Sequence, residues 1–136
     1  LIVEDLTKNI KSKYKNKQAK HKLNNWMKGY LQERIEFKSF QYNIAIKHIN
    51  AAYTSQICSN CGYFLGKRST SNIFHCPSCD KGVNVHYNSA MNIKNRFNDN
   101  EIKLNTNYLV IRSLLLDRNK RMLEFKTEPS KTLVDV

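Results

Sequence analysis

Cys58-Ser59-Asn60-Cys61 and Cys76-Pro77-Ser78-Cys79, separated by fourteen residues, decide how this chain is read. They hold all four of its cysteines. Each CxxC can wrap one backbone turn so that both thiolates point inward, and two such turns close a tetrahedron around one metal ion. Four thiolates leave no open coordination position, which predicts a structural zinc site rather than a catalytic one. Small residues suit the tight knuckles: Ser59, Asn60 and Gly62 at the first, Pro77 and Ser78 at the second. Two disulfides are the alternative use of these cysteines. The spacing suits a knuckle better than a pair of bridges, and the rest of the chain reads as intracellular, where thiols stay reduced.

Between the pairs, Tyr63-Phe64-Leu65 and Ile73-Phe74-His75 are short β-type runs. Gly66 to Asn72 between them reads as a hairpin tip, with Lys67 and Arg68 as candidate nucleic-acid contacts. The expected architecture is a zinc ribbon, two hairpins clipped by one ion. His75 directly precedes Cys76, but four thiolates already satisfy zinc, so it is not assigned as a ligand.

The chain has 136 residues, enough for one modest domain or two very small ones. It carries 23 Lys+Arg against 11 Asp+Glu, a formal charge of +12. That balance favours a polyanionic partner, nucleic acid being the usual one. No apolar run reaches the length of a membrane span, and nothing at the start resembles a signal peptide. The chain opens on Leu1-Ile2-Val3 without an initiator Met and is read as the interior of a larger protein. Seven lysines (Lys8, Lys11, Lys13, Lys15, Lys17, Lys20, Lys22) and no acid lie between Lys8 and Lys22. Beside a nucleic-acid site they would bind phosphates without reading sequence, and as a plain solvated loop they need no ligand.

The flanks give coarse elements. Leu1 to Leu6 reads as the end of a buried strand exposing acids at its carboxyl edge. From about Lys20 to Phe40, Leu23, Trp26, Met27, Tyr30, Leu31 and Ile35 recur at helical spacing, predicting an amphipathic helix laid on a sheet. Tyr42, Ile44 and Ile46 alternate with polar or small residues, predicting a strand up to Ile49. Asn88 is the expected N-cap of a short helix through about Phe97. Beyond it, Tyr108 to Ile111 and Leu114 to Leu116 suggest a strand or a buried helix, with a loose end from Lys126.

In order, Glu4-Asp5-Leu6, a long helix carrying Trp26, and Tyr53-Thr54-Ser55-Gln56-Ile57-Cys58-Ser59-Asn60-Cys61-Gly62 lead into the ribbon. Phe74-His75-Cys76-Pro77-Ser78-Cys79 and Tyr87-Asn88-Ser89-Ala90-Met91-Asn92-Ile93 follow. Over about residues 1 to 97 this combination resembles the C-terminal half of the TnpB (OrfB) proteins of insertion sequences. Those are RNA-guided DNA nucleases related to type V CRISPR effectors and Fanzor proteins. The resemblance implies an α+β fold, part of an RNase H-like (RuvC) domain with a four-cysteine zinc ribbon inserted. It implies a RuvC-like segment at 1–52, the ribbon at 53–82, a final RuvC-like helix at 83–97 and an extension of unknown role at 98–136. DNA and a guide RNA are the implied partners, with no membrane.

In that family three acids hold two Mg²⁺ ions for in-line phosphodiester cleavage. The resemblance puts the second acid on Glu4, and the first on an upstream strand this chain does not contain. The third should follow the ribbon in a D-x-D-x-N-A-A-x-N-I pattern. Counted from Cys79 without a gap, its acidic positions are Asn84 and His86. Imidazole is a poor substitute for a Mg²⁺-binding carboxylate, because magnesium takes hard oxygen ligands. Asp80, six residues before His86, is the alternative acid. Three functions follow as expectations: the ribbon part of an RNA-guided endonuclease, a nuclease-deficient nucleic-acid-binding relative or mobile-element remnant, or a free-standing zinc-ribbon module.

Overall fold

The structure is a computed structural model and describes residues 1–5, 28–69 and 72–127. The basic run from Lys8 to Lys22, and Leu23, Trp26 and Met27, lie outside the described residues. The fold is mixed helix and sheet.

β1 (Ile2–Glu4) and β2 (Lys47–Ile49) pair in parallel, with Glu4 opposite Ile49. Parallel strands need a crossover, and α1 (Lys28–Gln41) lies in the connection between them. Leu31 and Ile35 face the strands across a hollow of about 250 Å³ shared with Ile2, Val3, Glu4, His48 and Ile93. Leu31 is 51% exposed, so this face borders the hollow rather than packing tightly on the strands. Tyr30 departs from the expected stripe and is 63% exposed. At 100° per residue Tyr30 lines up with Phe37, on a different flank from Leu31 and Ile35. Phe37 and Phe40 are exposed as well.

The strand expected from Tyr42 shrinks to Lys47–Ile49, and Tyr42 and Ile44 stand exposed. Residues 42–44 instead terminate α1. Asn43 sits in the left-handed region at φ 53, and its N–H donates to Phe40 O at 3.1 Å. The Ile44 N–H donates to Ser39 O at 2.8 Å. This pair of bonds is a Schellman motif with Asn at the left-handed position, so the alternation at 42–46 was not a strand signal.

The ribbon follows. Ile57 and Phe64 make one antiparallel bridge around the first CxxC. The run Tyr63–Leu65 does not extend as a strand, because the chain turns at Leu65 with φ 84. β3 (Lys67–Arg68), β4 (Ile73–His75) and β5 (Gly82–Asn84) form an antiparallel sheet in that order. The second CxxC is the turn between β4 and β5. Gly66 is required by packing: a Cβ there would sit 1.9 Å from the Phe74 ring.

α2 (Val85–Arg96) starts four residues earlier than expected, because its N-cap is Asn84 rather than Asn88. The Asn84 Oδ1 accepts from the N–H groups of His86 at 2.9 Å and Tyr87 at 3.3 Å. That satisfies two of the helix's orphan donors. α3 (Tyr108–Thr127) resolves the strand-or-helix alternative as a helix. Ile111 and Leu115 on α3 close a core with Ile57, Phe64 and Ile102. A second cluster joins Phe74 and Val85 to Cys58 and Cys76. No helix among the described residues is long and apolar enough to cross a membrane.

Candidate metal centre

The two CxxC turns have the same backbone wiring. In the first, Gly62 N–H donates to Cys58 O at 2.8 Å and Cys58 N–H to Tyr63 O at 2.9 Å. In the second, Asp80 N–H donates to Cys76 O at 2.9 Å and Cys76 N–H to Lys81 O at 3.1 Å. Each turn closes through a left-handed residue just after its second cysteine, Gly62 at φ 80 and Asp80 at φ 52. Glycine adopts that conformation freely, and Asp is among the few other residues that tolerate it.

This wiring brings the four sulfurs together. Cys58 Sγ lies 3.7 Å from Cys79 Sγ, Cys61 Sγ lies 3.6 Å from Cys76 Sγ, and all four lie within 4.8 Å of one another. All four are free thiols, which excludes the two-disulfide alternative in this structure. A tetrahedral ion with Zn–S bonds of about 2.3 Å needs sulfurs about 3.8 Å apart, so the cluster fits such an ion. Among the described residues it is the one group of three or more metal-binding side chains that comes together.

The thiols differ in acidity. Burial pushes Cys61 up to about 12, only partly offset by the Tyr63 backbone N–H. Burial also raises Cys76, against the N–H groups of Cys79 and Ser78. At Cys79 burial is outweighed by the Lys81 backbone N–H and the neighbouring thiols, which leave it at about 7. The shifts favour the thiolate at Cys79 and the thiol at Cys61 and Cys76, so a metal bound here must displace the protons held at Cys61 and Cys76.

The cluster's support was not legible in the sequence. Along α2 the buried positions are Val85, Asn88, Asn92 and Arg96, so its inward face is largely polar. Asn88 is fully buried, accepts from Ser59 N–H at 2.9 Å and donates to Ile57 O at 2.8 Å. Asn92 donates to Thr54 O at 2.9 Å and Ile57 O at 2.6 Å. These amides hold the segment 54–57 that enters the first knuckle. From α3, Asn119 accepts from Phe64 N–H and donates to Phe64 O, both at 2.8 Å. The signal for Asn88 and Asn92 was their i, i+4 spacing, which puts both on one helix face. Nothing local marked Asn119.

The other predicted residues stand apart from the cluster. Glu4 is half-buried at the end of β1, on the hollow beneath α1. His86 is exposed in the first turn of α2. Asp80 pairs with His75 at 3.1 Å and its side chain is 92% exposed. Lys67 and Arg68 are exposed on β3, with Arg68 donating to Asn72 Oδ1 at 2.8 Å.

A family model described as Cas12f1-like, TNB domain matches residues 29–93, the stretch containing α1, the ribbon and most of α2. This match and the chain's relatives support a fragment of the TnpB and Cas12f family. It is 40% identical over 72 residues to the CRISPR-associated endodeoxyribonuclease Cas12f1 of Sulfoacidibacillus thermotolerans, covering 52% of this chain and 17% of that protein. To Cas12f2 of a Micrarchaeota archaeon it is 32% identical over 113 residues, 75% of this chain and 21% of the relative. To a TnpB-like protein of Aquifex aeolicus it is 29% identical over 96 residues, 68% of this chain and 31% of the relative. The chain thus spans less than a third of the length of these curated relatives.

Proposed function

We propose that this chain is the ribbon-bearing part of a TnpB-like, transposon-associated RNA-guided DNA endonuclease, and that its own nuclease centre is disabled at His86. The ribbon holds one structural zinc through Cys58, Cys61, Cys76 and Cys79. Lys67 and Arg68, exposed on β3, and the seven lysines from Lys8 to Lys22 engage DNA and guide RNA by their phosphates.

The observation that carries the reading is the first turn of α2. Two acidic positions of the family pattern fall on Asn84 and His86, and the two replacements differ in effect. Asn84 caps α2 through its side-chain oxygen, a role that Asn and Asp fill equally well. His86 brings a nitrogen donor where a hard oxygen ligand is required. The helix start is therefore kept while the carboxylate is lost. Glu4, Asn84 and His86 together offer a single carboxylate and do not fit a two-magnesium site, so no cleavage step is derived through one.

The RuvC-like assignment draws support from the parallel β1 and β2 with α1 in their connection, and from Glu4 at a strand end. Residues 1–52 and 83–97 then form the RuvC-like part and 53–82 the ribbon. From the 98–136 segment, α3 braces the ribbon through Ile111, Leu115 and Asn119.

The test is made on the purified chain. One zinc per chain is expected by elemental analysis, with DNA binding that weakens steeply as salt rises. No Mg²⁺-dependent nicking is expected. Nicking that Glu4→Ala abolishes would overturn the disabled centre, and zinc-free native protein would overturn the metal assignment.

A further inference from the structure

The surroundings of the two half-exposed thiols, Cys61 and Cys79, are unequal. Cys79 receives the Lys81 backbone N–H and, in addition, the side chain of Asn60, whose Nδ2 lies 3.7 Å from the sulfur. The Asn60 Oδ1 meanwhile accepts from Lys81 Nζ at 3.0 Å. An ammonium can only donate, so Lys81 holds the amide oxygen and turns the NH₂ group toward sulfur. Among the described residues Cys61 has the Tyr63 backbone N–H and the neighbouring thiols, but no side-chain amide donor. Asn60 belongs to the first knuckle and Cys79 to the second, so the bond also crosses between the turns.

We propose that Asn60, oriented by Lys81, is a positioning residue that shields Cys79 and leaves Cys61 as the thiolate at which electrophiles enter the zinc-loaded cluster. The inference rests on the zinc reading. A hydrogen bond to a metal-bound thiolate draws charge from sulfur and lowers its nucleophilicity, and the nearby ammonium adds to that effect. At Cys61 the sulfur lone pair is free to attack. With iodoacetamide, sulfur forms the S–C bond, iodide leaves with the C–I electron pair, and the resulting thioether is a weak zinc ligand. Zinc then departs from the remaining three thiolates.

The experiment treats the zinc-loaded chain with limiting iodoacetamide and locates the label by peptide mass mapping, while a colorimetric chelator reports zinc release. Cys61 is expected to label several-fold faster than Cys79. In Asn60→Ala, labelling of Cys79 should rise to match Cys61, and zinc release should accelerate about 10-fold, the lower end of effects for groups supporting metal ligands. Lys81→Gln, which removes the charge that orients the amide, should fall between. Asn60→Asp keeps the side-chain shape without the donor and should behave as Asn60→Ala. With Co²⁺ in place of zinc, the thiolate-to-cobalt absorption band should shift in Asn60→Ala, which a purely structural role would not produce. Equal labelling of Cys61 and Cys79 in the unsubstituted chain, or an unchanged order in Asn60→Ala, overturns the proposal. A chain isolated without metal refutes the zinc reading, and the labelling order read on the Co²⁺-loaded chain still decides the role of Asn60.

Discussion

At Cys58–Cys61 the backbone closes through Gly62, and at Cys76–Cys79 through Asp80, with matching hydrogen bonds of 2.8 and 2.9 Å. What surrounds the two turns is not alike. The first is entered by a short 3-10 turn and Ile57, held by Asn88 and Asn92 of α2, and its exit at Phe64 is clamped by Asn119 of α3. The second is the tip between β4 and β5, tied to α3 by Lys126, which donates to Ser78 O at 3.1 Å and Ser78 Oγ at 2.9 Å. One knuckle is supported by buried amide-to-backbone bonds and the other by exposed ones. Exposed polar contacts contribute little, because water competes for them. The second knuckle should therefore depend on the metal more heavily than the first.

The largest effect that would break this comparison is ligand removal. Cys58→Ser and Cys76→Ser should each abolish tight zinc binding, which for structural sites carries an apparent free energy of about 10–16 kcal/mol. Hydrogen exchange should then show residues 72–84 losing protection in both variants, while 54–65 keeps part of its protection in Cys76→Ser. Equal loss across both regions would mean that α2 and α3 give the first knuckle no independent support.

Acidity comes next. Zinc must displace protons from Cys61, at about 12, and from Cys76, which is also raised. These two protons alone imply an affinity that falls at least about 100-fold for each pH unit of acidification near neutrality. The thiols hold the metal as thiolates, so stability due to the metal is present at higher pH and lost as pH falls. Competition titrations with a chelator at pH 8 and pH 7 would check the slope, and a flat profile would contradict the proton inventory.

Smaller effects separate the two supports. Asn88→Ala should destabilise the chain by about 2 kcal/mol, because it strands the half-buried Ser59 N–H and removes a buried bond to Ile57 O. Lys126→Ala should change stability by less than about 0.5 kcal/mol, as exposed contacts do. Thermal denaturation of the zinc-loaded variants would measure both, and a similar loss for the two would erase the distinction between buried and exposed tethers. The finest contrast lies in the closing residues. Gly62→Ala forces a Cβ into φ 80 and should cost about 1 kcal/mol. Asp80→Gly should be close to neutral, since relief of the left-handed strain at Asp80 offsets the loss of its exposed contact with His75.

Much of the centre was legible because its determinants are local. A CxxC followed by a residue able to adopt positive φ folds into a knuckle on its own terms, so the clustering of the four cysteines could be anticipated from spacing. The helix cap was misplaced by four residues, at Asn88 instead of Asn84, because both are asparagines and capping strength does not distinguish them. Burial does: the Asn88 carboxamide is consumed by Ile57 and Ser59, which lie far away in sequence. The strand at Tyr42 failed for a similar reason, since apolar alternation over a few residues also arises where a helix ends in a left-handed turn.

The sequence by itself determined the four cysteines that cluster, the basic character of the chain and its family resemblance, and it raised the proposal that Asn84 and His86 stand at acidic positions of the family pattern. Each of these depends on residue identity and on spacings of a few residues. Only the tertiary structure decided that Asn88, Asn92 and Asn119 are the ribbon's internal supports, that Asn60 serves the opposite knuckle, and that α3 completes the core. Those roles are hydrogen bonds and contacts between segments tens of residues apart. A polar side chain is no different in sequence whether it ends up solvated or paired with a buried carbonyl, and only chain closure selects between the two.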